Sequence, residues 1–180
     1  MNLERNKTDK KDAWHICMYG IERKPAQYQM PEQQYFECRT LNSAIETITA
    51  EITAFTNKIY AQKKQKTDTS AVLRSYNQIV KTLKEHLKKL KEELQNKLLL
   101  WQPGLVKQVR SVKGIGSRAT ATLIVATQGF KNTHSYQQLI SYAGLSPKFY
   151  TSGKSIRGKV RISKKGGKQL RHILYMCALN

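Results

Sequence analysis

After Glu93 the sequence contains no aspartate and no glutamate. All 12 acids lie at or before that position, whereas Leu94 to Asn180 carries fifteen lysines and arginines. A solvated protein face ordinarily mixes charges of both signs, so an acid-free stretch of this length points to a polyanionic partner. The absence also restricts chemistry. This half cannot by itself build a carboxylate metal site or supply a carboxylate base, which leaves hydroxyl, imidazole, guanidinium and amine groups. Long apolar runs are missing too. Nothing approaches the roughly 18–20 residues that a membrane-spanning helix needs, and the N-terminus has no signal-peptide pattern. Cysteine is scarce: Cys17, Cys38 and Cys177 are odd in number and lack close metal-ligand spacing, which fits a cytoplasmic protein with reduced thiols.

What is present is charge and periodicity. The formal net charge is +20, and the cations are densest in loops rich in Gly and Ser, a pattern suited to phosphate rather than to a membrane surface. Residues 1–32 are poorly periodic and punctuated by Pro25 and Pro31. In residues 33–101, Leu41, Ile45, Ile48, Ile52, Phe55 and Ile59 are spaced 4-3-4-3-4, and Tyr76, Val80, Leu83, Leu87, Leu90 and Leu94 repeat that spacing. A polar stretch from Gln62 to Ser70 separates the two runs. The pattern predicts two long helices folded into an antiparallel coiled-coil hairpin, whose narrow seams suit pairing with a second protomer.

Pro103-Gly104 should end this arm. Residues 102–180 then read as a small α domain with helices around Ala119–Thr127, Tyr136–Ala143 and Gln169–Leu179, and a basic loop or short β-hairpin from Ser146 to Gly167. The predicted fold class is therefore mainly α: a remnant N-terminal helix, a two-helix arm and a small α domain.

Three groups of residues are candidates for chemistry. Gly114-Ile115-Gly116, between two helices, has the helix-hairpin-helix signature. Its glycines allow a tight turn that brings backbone N–H groups and a helix N-terminus to a phosphate, flanked by Lys113 and Arg118. A plain helix–helix turn would also favour glycine. The second group is the segment from Ser152 to Gly167, which sets hydroxyls among Lys154, Arg157, Lys159, Arg161, Lys164 and Lys165. A serine there could attack a phosphodiester while Arg157, Arg161 and Arg171 receive the developing charge; a basic loop that only tracks a nucleic-acid backbone is the plainer alternative. It is not a P-loop, because no Gly-Lys-Ser/Thr follows a glycine at the required spacing. His134 and His172 stand alone and read as structural. Third, Asp9 and Asp12 are placed at i and i+3, where one face of a helix could offer both carboxylates to a divalent metal or simply to solvent.

Together these features resemble the bacterial insertion-sequence transposases of the IS116/IS110/IS902 type. Asn6 to Ala13 (NKTDKKDA) is similar to the last motif of that family's RuvC-like domain. From Val109 to Leu179 the Gly-Ile-Gly turn, Leu139 to Pro147 (LISYAGLSP), Ser152-Gly153, Ile162-Ser163-Lys164 and Leu170-Arg171 follow the order of its C-terminal transposase domain. The resemblance implies a serine that becomes covalently joined to DNA, a four-acid Mg2+ site in the RuvC-like domain, and a bridge RNA that pairs with donor and target DNA. It makes Ser152 the nucleophile, with Ser155 second, and Asp9 and Asp12 the last two of the four acids. Only five residues precede Asn6, where the family has most of its RuvC-like domain, and the apolar pattern is still running at Asn180. The chain is thus expected to be truncated at both ends, and its enzymatic competence is left open. The expected function is a transposase acting on DNA with a guide RNA and oligomerising through the arm. The alternatives are a non-catalytic nucleic-acid-binding remnant that oligomerises through the same arm, or an RNA-binding scaffold unrelated to mobile elements.

Overall fold

The computed structural model describes residues 8–25, 27–65, 69–131, 133–148, 151–152 and 156–179, with the side chains of residues 151, 152, 156 and 157 excepted. The chain divides into two units, residues 1–30 and 31–180. The first contains α1 (Asp9–Arg23). The Thr8 hydroxyl caps this helix by accepting from the Lys11 N–H, and the acids Asp9 and Asp12 fall in the first turn, where the helix dipole favours them. Lys24, in the left-handed conformation just ahead of Pro25, closes it. Segment 1–32, read as poorly periodic, therefore holds a capped helix of fifteen residues, none of them buried.

The second unit begins with a helical hairpin, α2 (Gln33–Lys63) and α3 (Ser70–Trp101). Its antiparallel sense is fixed by pairs along its length: Tyr35 beside Trp101 and Glu37 with Lys97 at the base, and Phe55 edge-on to Tyr76 near the tip. All twelve seam positions named from the sequence are buried or half-buried, with Ile45, Val80 and Leu94 fully so. Thr47, Thr49, Thr53 and Thr56 of α2 satisfy their hydroxyls on the carbonyl four residues back, as Thr49 does on Ile45 at 2.6 Å.

The base of the hairpin is clamped by acids that belong to the first half of the sequence. Lys97 Nζ lies 2.6 Å from Glu37 Oε2; Trp101 Nε1 donates to one oxygen of Glu32 at 2.9 Å and Lys131 Nζ to the other at 2.8 Å. Hydrogen bonds from these lysines hold both carboxylates below their usual pKa. The pairs are solvated, so their worth lies in fixing geometry more than in stability.

Gln102 breaks the helical path and Pro103 opens α4 (Pro103–Arg110), where its missing N–H costs nothing. Next come α5 (Ser117–Ala126), α6 (Tyr136–Tyr142) and α7 (Lys168–Ala178). Helix α5 is the centre of the unit. Residues Ala119 to Val125 are buried without interruption, so it is enclosed on every side, with the hydroxyls of Thr120 and Thr122 hydrogen-bonded to Gly116 O and Asn42 Oδ1. One face packs through Ala121, Ile124 and Val125 with Cys38, Ile45, Leu94, Leu98 and Val106, joining the hairpin base to α4. The other packs through Leu123 with Ala143 and Leu170, and with the partly buried Val109, Ile115, Leu145 and Leu174.

Between α6 and α7 lie four two-residue strands: β1 (Pro147–Lys148), β2 (Thr151–Ser152), β3 (Ile156–Arg157) and β4 (Arg161–Ile162). They pair antiparallel as β1 with β4 and β2 with β3. Of the two alternatives for the basic segment, the chain adopts a β-hairpin. Its return arm takes one residue more than its outgoing arm between the ladders, so the register slips by one. The fold is mainly α, as the periodicity predicts.

Candidate nucleic-acid interface

Helices α4 and α5 are joined by residues 111–116, the tight turn that Gly114-Ile115-Gly116 predicts. Gly114 has φ 87°, a left-handed conformation that a side chain would strain. The Ile115 N–H donates to the Val112 carbonyl, closing the turn, and Ile115 enters the second core cluster. Gly116 is the N-cap of α5, and no side chain caps it. The first N–H groups of that helix therefore lack both an intrahelical acceptor and a capping oxygen, the arrangement that suits an anion. Lys113 and Arg118 flank the turn and are exposed, as are Lys107 and Arg110 on the preceding helix.

The β-hairpin is anchored at its base. Ser163 N–H donates to Ser146 O at 2.8 Å and Lys164 N–H to Gly144 O at 3.0 Å, carrying the pairing back to the end of α6. There two backbone segments cross in contact. A Cβ on Gly166 would stand 2.2 Å from the Tyr142 carbonyl oxygen, and one on Gly144, itself at φ +69°, 2.7 Å from Arg171 Nη1. Glycine at both positions is what allows the crossing. Arg171 donates from Nη1 to the Ala143 carbonyl at 2.9 Å, satisfying a backbone acceptor at the C-terminal end of α6. Named from the sequence as a phosphate ligand, it thus has a structural bond, and among the described residues its other guanidinium donors take no partner.

Lys159, Arg161, Lys164 and Lys165 are all exposed on the return arm or just after it. Ser152 is the last paired residue of the outgoing arm, opposite Ile156, and Arg157 is paired opposite Thr151. Their side chains, and Lys154 and Ser155 entirely, lie outside the described residues. The shared core around Leu123, Ile115, Leu145 and Leu170 holds the glycine turn and the hairpin base on one small unit. Among the described residues, the cations after Glu93 that pair with carboxylates are Lys97 and Lys131, and both reach back to Glu37 and Glu32.

Asp9 and Asp12 belong to the other unit, exposed in the first turn of α1. No cluster of three or more His, Cys, Asp or Glu side chains able to hold a metal occurs among the described residues. These two carboxylates fall short of a magnesium site, which needs a near-octahedral oxygen set. His134 and His172 are both exposed. The His134 backbone N–H donates to Gln138 Oε1, while the Gln138 N–H donates to Ser135 Oγ, a reciprocal cap on α6.

Sequence reading missed Lys107, Arg110, Lys148 and Lys168, all exposed cations of the same half. Their only signal was membership of the acid-free stretch. It also missed the contact of Gly144 with Gly166, which depends on a crossing between segments distant in the chain. No described helix is long and apolar enough to cross a membrane.

Comparison with known proteins adds an independent line. Residues 106–180 match the model of the Transposase IS116/IS110/IS902 family. The chain is also similar to two curated proteins, each named "Pilin gene-inverting protein". The one from Moraxella bovis is 26% identical over 97% of this chain and 53% of its own length. The one from Moraxella lacunata is 25% identical over the same shares. The chain thus spans about half the length of the curated relatives it matches. Residues 106–180 of this chain are thus similar to a domain of the Transposase IS116/IS110/IS902 family, in keeping with the order of its motifs.

Proposed function

We propose that this chain acts in the cytoplasm in DNA transposition, as a strand-exchange protein of a bacterial insertion sequence. The observation that carries this reading is the unneutralised charge of the family domain: its described cations, Lys131 excepted, are without carboxylate partners. Such a surface binds a phosphate backbone and releases counterions on doing so. The printed name of the two relatives, a gene-inverting protein, is in keeping with a protein that cuts and rejoins DNA.

In the reaction, the Ser152 hydroxyl attacks a phosphorus of the DNA backbone, or Ser155 does if the nucleophile lies three residues along. A serine O–P bond forms, the P–O bond to the departing strand breaks, and that strand's oxygen takes up a proton. Arg157 and Arg161, with the free donors of Arg171, offset the charge on the phosphoryl oxygens. Lys113, Gly114, Gly116 and Arg118 hold the backbone without reading sequence, as do Lys154, Lys159, Lys164 and Lys165. Sequence choice is delegated to a bridge RNA, and the arm brings protomers together. The Mg2+ that the family resemblance implies would need ligands beyond Asp9 and Asp12.

The unneutralised cations alone also support a second reading, in which the chain binds nucleic acid without cutting it. Trapping a protein–DNA adduct under denaturing conditions separates the two. The protein is incubated with element-end DNA, guide RNA and Mg2+, comparing the parent chain with Ser152→Ala, Ser155→Ala and Asp12→Ala. An adduct lost with Ser152→Ala supports the assignment; one lost only with Ser155→Ala moves the nucleophile. An adduct that survives both changes removes the serine mechanism. Salt-sensitive binding with no adduct from any version leaves the binding reading in place.

A further inference from the structure

We propose that the domain holds one unpaired nucleobase in an uncharged cleft between α6 and the turn that follows α5; this rests on the nucleic-acid reading above. The cleft has a volume of about 440 Å³ and is lined by Thr127, Gln128, Thr133, Gln138, Ser141 and Tyr142. That volume lies within the roughly 300–1,000 Å³ of small-molecule sites. In a half of the chain crowded with cations, none among the described residues lines this cleft. A phosphate or carboxylate would have no counter-charge there. Amide and hydroxyl groups instead match the mixed donors and acceptors on the edge of a base.

Two of the lining side chains are fixed by the fold. The Thr127 hydroxyl donates to Leu123 O at 2.7 Å and accepts from the Phe130 N–H at 3.1 Å. Gln138 Oε1 is taken by the His134 N–H, which leaves its amide NH2 to donate. The side chains of Gln128, Thr133, Ser141 and Tyr142 form no hydrogen bond among the described residues. Tyr142 is 53% exposed, so its ring offers a stacking face at the cleft wall.

The backbone of the turn is unusual. Gln128, Gly129 and Phe130 all have positive φ, at 52°, 69° and 62°. Two of these residues carry a Cβ, which is strained in that conformation. Such conformations persist where the surroundings hold them, here through Gly129 N–H to Ile124 O at 2.8 Å and the Thr127 hydroxyl. The turn so held places Gln128 on the cleft wall. The same α6 end that supplies Tyr142 meets Gly166 at the Tyr142 carbonyl, so the Lys164–Lys165 segment lies beside the C-terminal end of α6. Phosphates flanking a captured base would meet cations there.

The test uses three DNA duplexes of one sequence: fully paired, with a single bulged base, and with an abasic residue at the bulge. Fluorescence anisotropy of the full chain should show about 10-fold tighter binding to the bulged base than to the abasic bulge, in line with stacking of one base on an aromatic ring. Tyr142→Ala should erase that preference, Tyr142→Phe should retain it, and all three proteins should bind the fully paired duplex equally. Equal affinity of the parent for bulged and abasic duplexes, or a preference that survives Tyr142→Ala, overturns the cleft assignment alone. Absence of binding to every duplex overturns the nucleic-acid reading as well.

Discussion

Gly166 shows how one missing carbon atom supports a site. Its hydrogen faces the Tyr142 carbonyl oxygen at a distance where a methyl group cannot fit, and the nearest atoms, from Tyr142, Ala143 and Gly144, are all backbone. Gly166→Ala should therefore force the basic hairpin away from α6, at roughly 1–3 kcal/mol. Thermal unfolding should register the loss, and hydrogen exchange should show the Lys164 amide opening with it. Unchanged protection at Lys164 would mean that the crossing does not anchor the hairpin. Cys38 makes a different residue-scale case. Burial pushes its thiol up to about 11, from an ordinary value of 9.0, with the neighbouring Glu37 carboxylate adding to the effect. A raised folded pKa means that the fold favours the protonated thiol. That contribution is intact below pH 9.0 and is lost as pH rises through about 11. Melting temperatures of the parent should fall more steeply across this window than those of Cys38→Ala. Parallel slopes would count against the assignment.

At the scale of elements, the arm is a graded structure. Cys38, Ile45, Leu94 and Leu98 at its base sit in the main core, while the seam toward Phe55 and Tyr76 is half-buried between two helices. A two-helix seam leaves an apolar edge on each side, the physical reason to expect a second protomer along it. Leu87 is half-buried and packs on the core cluster. Leu87→Asp places a charge in the seam and should cost several kcal/mol unless the helix rotates it to solvent. Circular dichroism reads the loss of helix and sedimentation the loss of association. Helix lost without a change in mass would confine the seam to one chain; neither changing would refute the arm as a stabilising element.

At the scale of the whole molecule, charge asymmetry dominates. The two carboxylates that neutralise cations of the later half, Glu32 and Glu37, both sit at the foot of the arm, far from the β-hairpin in sequence. They spend acid on architecture and leave the rest of the domain cationic. Binding to duplex DNA of random sequence should therefore weaken steeply with salt, log K falling against log salt by about 0.9 for each phosphate neutralised. A slope worth several phosphates is expected, reduced by about one in Lys165→Ala. A flat salt response would remove the electrostatic basis of the proposed function.

The sequence by itself determined the mainly α class, the long hairpin and its seam, the break at Pro103, and the concentration of cations after Glu93. These follow from local rules: a 3.5-residue apolar repeat leaves a helix one face to bury, and proline cannot continue one. Only the tertiary structure decided that the basic segment is a slipped β-hairpin, that Arg171 spends a donor on the Ala143 carbonyl, and that Gly144 and Gly166 meet. It also gathered Thr127, Gln128, Gln138 and Tyr142 around one cleft. The hairpin slip is set by its own unequal arms, and the others depend on segments brought together by packing. Neighbours in space but not in chain leave no period for a sequence to display.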